Sequence, residues 1–157
     1  MASERSRAEL LAALEHERVA LLELMPRFDD ARWRAPARAD GWSPHDVTMH
    51  IADSTYGLAL LVLGELQPNL PLDDRGWMEV GELNEQRRRR SAEFTREKVA
   101  ARVSGAFDHA RRAVETITDY AAPGPYGPVH TRGMWLNRIV DHAAEHRAEL
   151  EAMLAPV

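Results

Sequence analysis

The chain contains no cysteine. Disulfides, thiolate-ligated zinc and a thiol nucleophile of the protein's own are therefore excluded. Lysine is nearly absent: Lys98 is the one lysine among 20 basic residues, a bias that points to a GC-rich genome rather than to chemistry. There is no long apolar run. The longest, Leu58 to Leu63, is far short of the roughly 20 residues that span a bilayer, so no membrane partner is expected. Met1 to Glu9 is polar and has no apolar stretch of the kind a secretion signal carries, which leads to the expectation of a cytoplasmic protein. An excess of positive charge is also missing. The net charge is -5 and the pI about 5.8, whereas binding to phosphate backbones needs a basic face, so nucleic acid is not an expected partner.

What is present describes a globular domain. At 157 residues the chain can bury a substantial core, and one domain over 1–157 is expected. The 45% hydrophobic and 29% charged fractions are ordinary for such a domain. Strand signals are almost absent, and four helical tracts emerge from apolar residues spaced three and four apart. The first runs from about Glu4 to Met25, with Leu10, Leu14, Leu21 and Met25 on one side, and Pro26 closes it. A connecting segment, Arg27 to Trp42, holds Pro36 and Gly41. The second opens with Ser43 as N-cap, Pro44 at the first helical position and Asp46 in the first turn. It continues to about Leu66, before Pro68 and Pro71. The third, Met78 to Tyr120, is too long for one ordinary helix, and Thr95 followed by Glu97 marks a restart, so it divides near Phe94. Pro123 to Pro128 reads as a loop. The last helix runs from about Thr131 to Leu154. Four amphipathic helices imply an all-α, up-and-down four-helix bundle. Gly57 and Gly64, seven apart on the second helix, either let a backbone or ligand come close or are merely tolerated.

Three histidines fall inside apolar stripes. On the last helix the stripe reads Trp135, Ile139, His142, His146, Leu150, Met153, and on the second Val47, His50, Ser54, Leu58, Leu61. Three buried imidazoles without partners cost roughly 1–3 kcal/mol each, and a shared metal ion turns that cost into binding energy. His142 and His146, at i and i+4, have Cβ atoms about 5–6 Å apart. His50 from a facing helix supplies a third nitrogen. Three histidines leave positions open for water or substrate, and all-imidazole ligation suits zinc, nickel, copper or ferrous iron. The competing account is core-edge histidines hydrogen-bonded to backbone or carboxylates.

Other residues carry less. Glu145 and Glu149 flank the pair as candidate orienting acceptors behind the imidazoles, or form surface ion pairs with arginine. His142-Ala143-Ala144-Glu145-His146 matches a His-x-x-Glu-His metalloprotease pattern, which is rejected because that chemistry needs a distant downstream carboxylate. His16 and His109 read as exposed, and His45, at a positive helix end, as neutral and exposed. His130 either lines a mouth or is structural. Arg87 to Arg90 reads as a solvated helix face, with anion binding as the alternative. Trp42, Trp77 and Trp135 wedge helix ends into the core or rim a small-molecule pocket. Trp42, Ser54, Asn84 and Trp135 are the candidate pocket residues.

Gly41-Trp42-Ser43-Pro44-His45-Asp46-Val47-Thr48-Met49-His50-Ile51-Ala52 is similar to the second-helix motif of the DinB/YfiT-like metalloenzyme superfamily, and Asp141-His142-Ala143-Ala144-Glu145-His146-Arg147 resembles its closing His-x-x-x-His. The resemblance covers nearly the whole chain. It implies a bundle of that family's arrangement, a divalent metal (zinc, nickel or iron) on His50, His142 and His146, and homodimers. It also implies use of a low-molecular-weight thiol such as mycothiol or bacillithiol, in an S-transferase or thiol-dependent isomerase acting on a small-molecule substrate. A nucleophile that arrives with its cosubstrate fits a chain without cysteine. The alternatives are a metal-dependent hydrolase, a non-catalytic stress-related bundle that binds small molecules, and a structural dimer with hydrogen-bonded histidines.

Overall fold

A computed structural model describes residues 4–155. The order is α1 (Arg7–Leu24), a one-turn α2 (Asp30–Trp33), α3 (Pro44–Val62), α4 (Gly81–Arg90), α5 (Arg96–Thr116), β1 (Pro123–Gly124), β2 (Gly127–Thr131) and α6 (Arg132–Leu154). The fold is predominantly helical with one small antiparallel hairpin. No helix of the described residues is long and apolar enough to cross a membrane.

Local chemistry starts and stops these helices. Ser6 and Glu9 close a capping box on α1, and Ser43 and Asp46 close another on α3, where Pro44 occupies the first turn. Each box satisfies two backbone N–H groups that a helix start leaves free. Thr95 caps α5 through the Lys98 amide, and Thr131 caps α6 through that of Met134. The expected restart at Thr95 is where α5 begins. Other boundaries moved. The second predicted helix ends at Val62 rather than Leu66, because Gly64 turns the chain with a positive φ of 77°. Gly64 thus lies beyond the helix on which its spacing placed it. The third tract yields α4 from Gly81 and α5 to Thr116, shorter than Met78 to Tyr120 at both outer ends. Within the connecting segment Asp29 caps the unforeseen α2. The Pro123–Pro128 stretch, read as a loop, carries the hairpin, with Pro123 opposite Thr131 and Gly124 opposite Gly127.

The core forms where the apolar stripes of four long helices meet: α3 packs on α5 and α6, and α1 packs on the same two. Leu10, Leu14 and Leu21 of α1 join Val47, Ile51 and Ala59 of α3 there. From the other two come Val99, Val103 and Phe107 of α5, and Trp135, Leu136, Ile139 and Leu150 of α6. Each large aliphatic side chain buried this way contributes about 1.5–3 kcal/mol. By contrast α4 buries no residue fully and touches mainly α3. It lies over one end of the core as a cover. That cover, the core residues Leu58, Leu61 and Trp135, and Tyr126 of the hairpin turn together shape the space beside the histidines.

Candidate metal centre

His50 comes from the second turn of α3, and His142 and His146 from successive turns of α6. Packing of α3 on α6 brings them together, so that one nitrogen from each lies within 4.8 Å of the others. Ring centroids are 4.5–4.9 Å apart. His50 Nε2 and His142 Nε2 face each other at 3.2 Å. Two nitrogens bound tetrahedrally at zinc–nitrogen lengths of about 2.0–2.1 Å stand about 3.3 Å apart.

The surroundings fix the rings. His146 donates its Nδ1–H to Glu149 Oε2 at 2.8 Å. That bond selects the tautomer whose Nε2 lone pair is free, the carboxylate–histidine pairing common behind bound metals. Glu149 also lies 3.5 Å from Arg38, which spreads over the Trp42 ring and pairs with Asp40. The ion-pair role and the orienting role therefore coexist in one carboxylate. Glu145 is exposed beside the cleft and, among the described residues, makes no hydrogen bond to a histidine. Trp42 meets His50 edge-on at 5.5 Å, and the Ser54 hydroxyl lies 3.4 Å from His50 Nδ1.

Burial, reinforced by the charge of His146, pushes the His50 pKa down to about 3. The same causes, with His50 added, push His142 down to about 2. Both imidazoles are thus neutral at physiological pH, the form that binds a metal. His142 Nδ1 is buried without a hydrogen-bond partner. A neutral imidazole pair can share one Nε2–H, and it still leaves this atom without a partner. The donor set, its spacing and its protonation fit a divalent cation.

A cavity of about 330 Å³ adjoins the cluster. Ser54, Asn84, Trp135 and His142 line it, together with Leu58, Leu61, Trp77, Arg87 and Arg138. Trp42 does not reach this cavity. It borders a more open cleft that all three histidines line, with Arg38, Glu145 and Asn84. The far wall is braced by aromatic contacts: His130 stacks on Trp77 at 3.8 Å, and Trp77 meets Trp135 edge-on at 4.8 Å. Gly124 is required here, since a Cβ at that position would collide with the Trp135 indole.

The remaining histidines separate cleanly. His16 is exposed. His45, expected to be exposed, is 1% exposed. Its Nε2–H donates to the Phe94 carbonyl at 3.1 Å and its ring meets Trp33 edge-on, so it ties the start of α3 to the turn before α5. His109 is partly covered by Tyr56 and sits 3.2 Å from Arg112. His130 belongs to β2, donates to the Arg75 carbonyl at 2.8 Å and supports Trp77 without lining the cavity.

Sequence reasoning missed Arg38, Asp53 and Arg138, and it treated the four arginines of α4 as one solvated face. They divide: Arg88 pairs with Glu85 and Asp46, Arg89 and Arg90 are exposed, and Arg87 turns inward to the cavity. Burial pushes the Arg87 pKa down and raises that of Asp53, each charge partly offsetting the effect on the other. The signal available for Arg87 was its position one turn after Asn84 on the same face.

Among known proteins, the family model described as the DinB superfamily matches residues 5–150. No curated protein and no solved structure matches the chain. The match spans both histidine-bearing helices and the helices that pack against them, and the chain belongs to the DinB superfamily.

Proposed function

We propose that this protein is a divalent-metal-dependent enzyme in which His50, His142 and His146 hold the ion. Its architecture is an up-and-down four-helix bundle of α1, α3, α5 and α6, and its working form is a homodimer. The observation that carries this reading is the convergence of three imidazole nitrogens within 4.8 Å beside a 330 Å³ cavity. One of the three is oriented by a carboxylate. Zinc, nickel and iron all suit such a donor set.

The reaction class is transfer or isomerisation dependent on a low-molecular-weight thiol such as mycothiol or bacillithiol. A divalent cation in this position supplies the positive charge that keeps an incoming thiol as thiolate. The chain supplies the rest. Glu149 holds the His146 ring in one orientation and one tautomer. Trp42 covers His50 and limits water on that side. The cavity takes the body of the electrophile, so that its reacting carbon stands at the histidine end. The absence of cysteine leaves the nucleophile to the cosubstrate.

Elemental analysis of untagged wild type and of a His142→Ala, His146→Ala double variant tests the metal. Near-stoichiometric metal in the first and none in the second is the expected result. No metal in either after reconstitution defeats the catalytic reading and leaves a small-molecule-binding bundle. Electrophile turnover by the loaded protein, with and without added thiol, then tests the reaction class, and thiol-independent turnover reassigns it to hydrolysis.

A further inference from the structure

The charged residues of the cavity stand toward its histidine end. Asn84, Arg138 and His142 border both the cavity and the cleft around the histidines, and Asn84 and Arg87 also border the small gap beside His50. The rest of the lining is mostly apolar, with Gln67, Asn69 and the Tyr126 hydroxyl as its polar groups. Along α3 the cavity face reads Ser54, Gly57, Leu58, Leu61, so it runs away from His50 for about 10 Å at 1.5 Å per residue. On α6 it runs from His142 back past Arg138 to Trp135.

Two guanidiniums stand at the histidine end with no carboxylate bonded to them. Among the described residues Arg87 has no ion pair or side-chain hydrogen bond, and its Nη2 lies 3.5 Å from the position a Cβ would take at Gly57. Arg138 rests on the Trp77 ring at 5.4 Å and likewise has no ion-pair partner among the described residues. Elsewhere the surface arginines pair readily, as Arg88, Arg112 and Arg147 do. Forked donors left free at a cavity mouth match a planar carboxylate. Asp53 offsets part of the Arg87 charge and the Trp77 face part of that of Arg138, and a substrate carboxylate supplies the bonded counter-charge that both lack.

We propose that the cavity binds a carboxylate carried on a hydrocarbon body, with Arg87 and Arg138 holding the carboxylate beside the histidines and Leu58, Leu61, Trp77 and Trp135 enclosing the body. Asn84 borders the same end as a further hydrogen-bonding group. The carboxylate end is then positioned toward the proposed reacting end of the site. As a substrate class this rests on the metal reading; as a binding site it does not.

The test is isothermal titration of the full chain with octanoate, 1-octanol and butyrate, on zinc-loaded protein and on protein stripped with chelator. Octanoate is expected to bind both forms, at least about tenfold more tightly than either comparison ligand, because each lacks one half of the match. Arg87→Gln and Arg138→Gln are each expected to weaken octanoate about tenfold while leaving 1-octanol unchanged. The 1-octanol signal serves as the check that the variant cavity is intact. Equal binding of octanoate and 1-octanol by wild type overturns the proposal whatever the variants do. Octanoate binding that needs zinc and is unmoved by both arginine variants also overturns it, placing the carboxylate on the metal while leaving the metal reading intact. Loss of zinc binding with octanoate binding retained does the reverse.

Discussion

His45 and His50 stand five residues apart on one helix, both are buried, and their surroundings are opposite in kind. Around His45 the partners are protein groups: the ring donates to the Phe94 carbonyl, Asp46 stands 3.7 Å from its Nδ1, and Trp33 packs against it. Around His50 the neighbours are two more imidazoles, a serine hydroxyl and the edge of an indole. Burial does not distinguish a structural histidine from a ligand; the inventory of partners does. The first ring is a finished hydrogen-bonded joint. The second belongs to a group of three imidazoles whose nitrogens are spaced to hold a cation.

The sharpest way to break that contrast is to remove each ring in turn. His50→Leu is expected to abolish tight metal binding yet leave the metal-free protein within about 1 kcal/mol of wild type, since it replaces a poorly partnered buried polar ring by an apolar one. His45→Leu is expected to keep full metal stoichiometry and to lose about 0.5–1.5 kcal/mol of stability with its hydrogen bond to the Phe94 carbonyl, which keeps Arg34 as a second donor. Denaturant melts with and without added zinc read both effects. If His45→Leu lost the metal and His50→Leu kept it, the contrast would be inverted.

A smaller effect is expected behind the site. Glu149→Gln removes the charge that orients His146 and should weaken metal affinity by about 10–100-fold. Glu145→Gln, on the exposed side, should leave affinity unchanged, and competition with a chelating dye measures the two together. Equal losses would show that the acidic surroundings act by net charge alone.

The mildest is a pH dependence. In the folded, metal-free protein His50 and His142 remain neutral down to about pH 3 and 2, whereas unfolded imidazoles protonate near pH 6.5. Below that value the unfolded state binds more protons, so stability falls as the pH is lowered from about 6.5 toward 3. His50→Leu should flatten part of that slope in metal-free melts, and an unchanged slope would mean that the ring is not held neutral by its burial.

Much of the scaffold was legible because its signals are local. Ser43-Pro44 with Asp46 announces a helix start, and Thr95 a restart, since a cap needs only the next three residues. Helix ends were less legible: α3 stops at Val62 although apolar residues continue, because the positive φ at Gly64 ends it. The hairpin at Pro123–Thr131 was hidden for a related reason. Proline and glycine mark a turn but not whether its arms pair, and here the close approach of Trp135 to Gly124 depends on that pairing. At the site, the stripe position of His142 and His146 was plain from their spacing. Glu149 was a candidate beside Glu145, and only the ring orientation of His146 separated the two. Arg87 differed from its three neighbours only by its place one turn after Asn84, and the packing of α4 on α3 is what turned it to the cavity.

The sequence by itself determined which long segments would be helical, where most of them would start, and that His142 and His146 share a face one turn apart. Those properties follow from backbone geometry and the 3.6-residue period, which act within a few residues. Only the tertiary structure decided that His50 meets His142 across 92 residues of chain, that His45 turns away to the backbone before α5, and that one arginine of four enters the cavity. A helical stripe says which side faces inward. Which neighbour that side meets, and what remains unpaired there, is set by how all the helices pack at once.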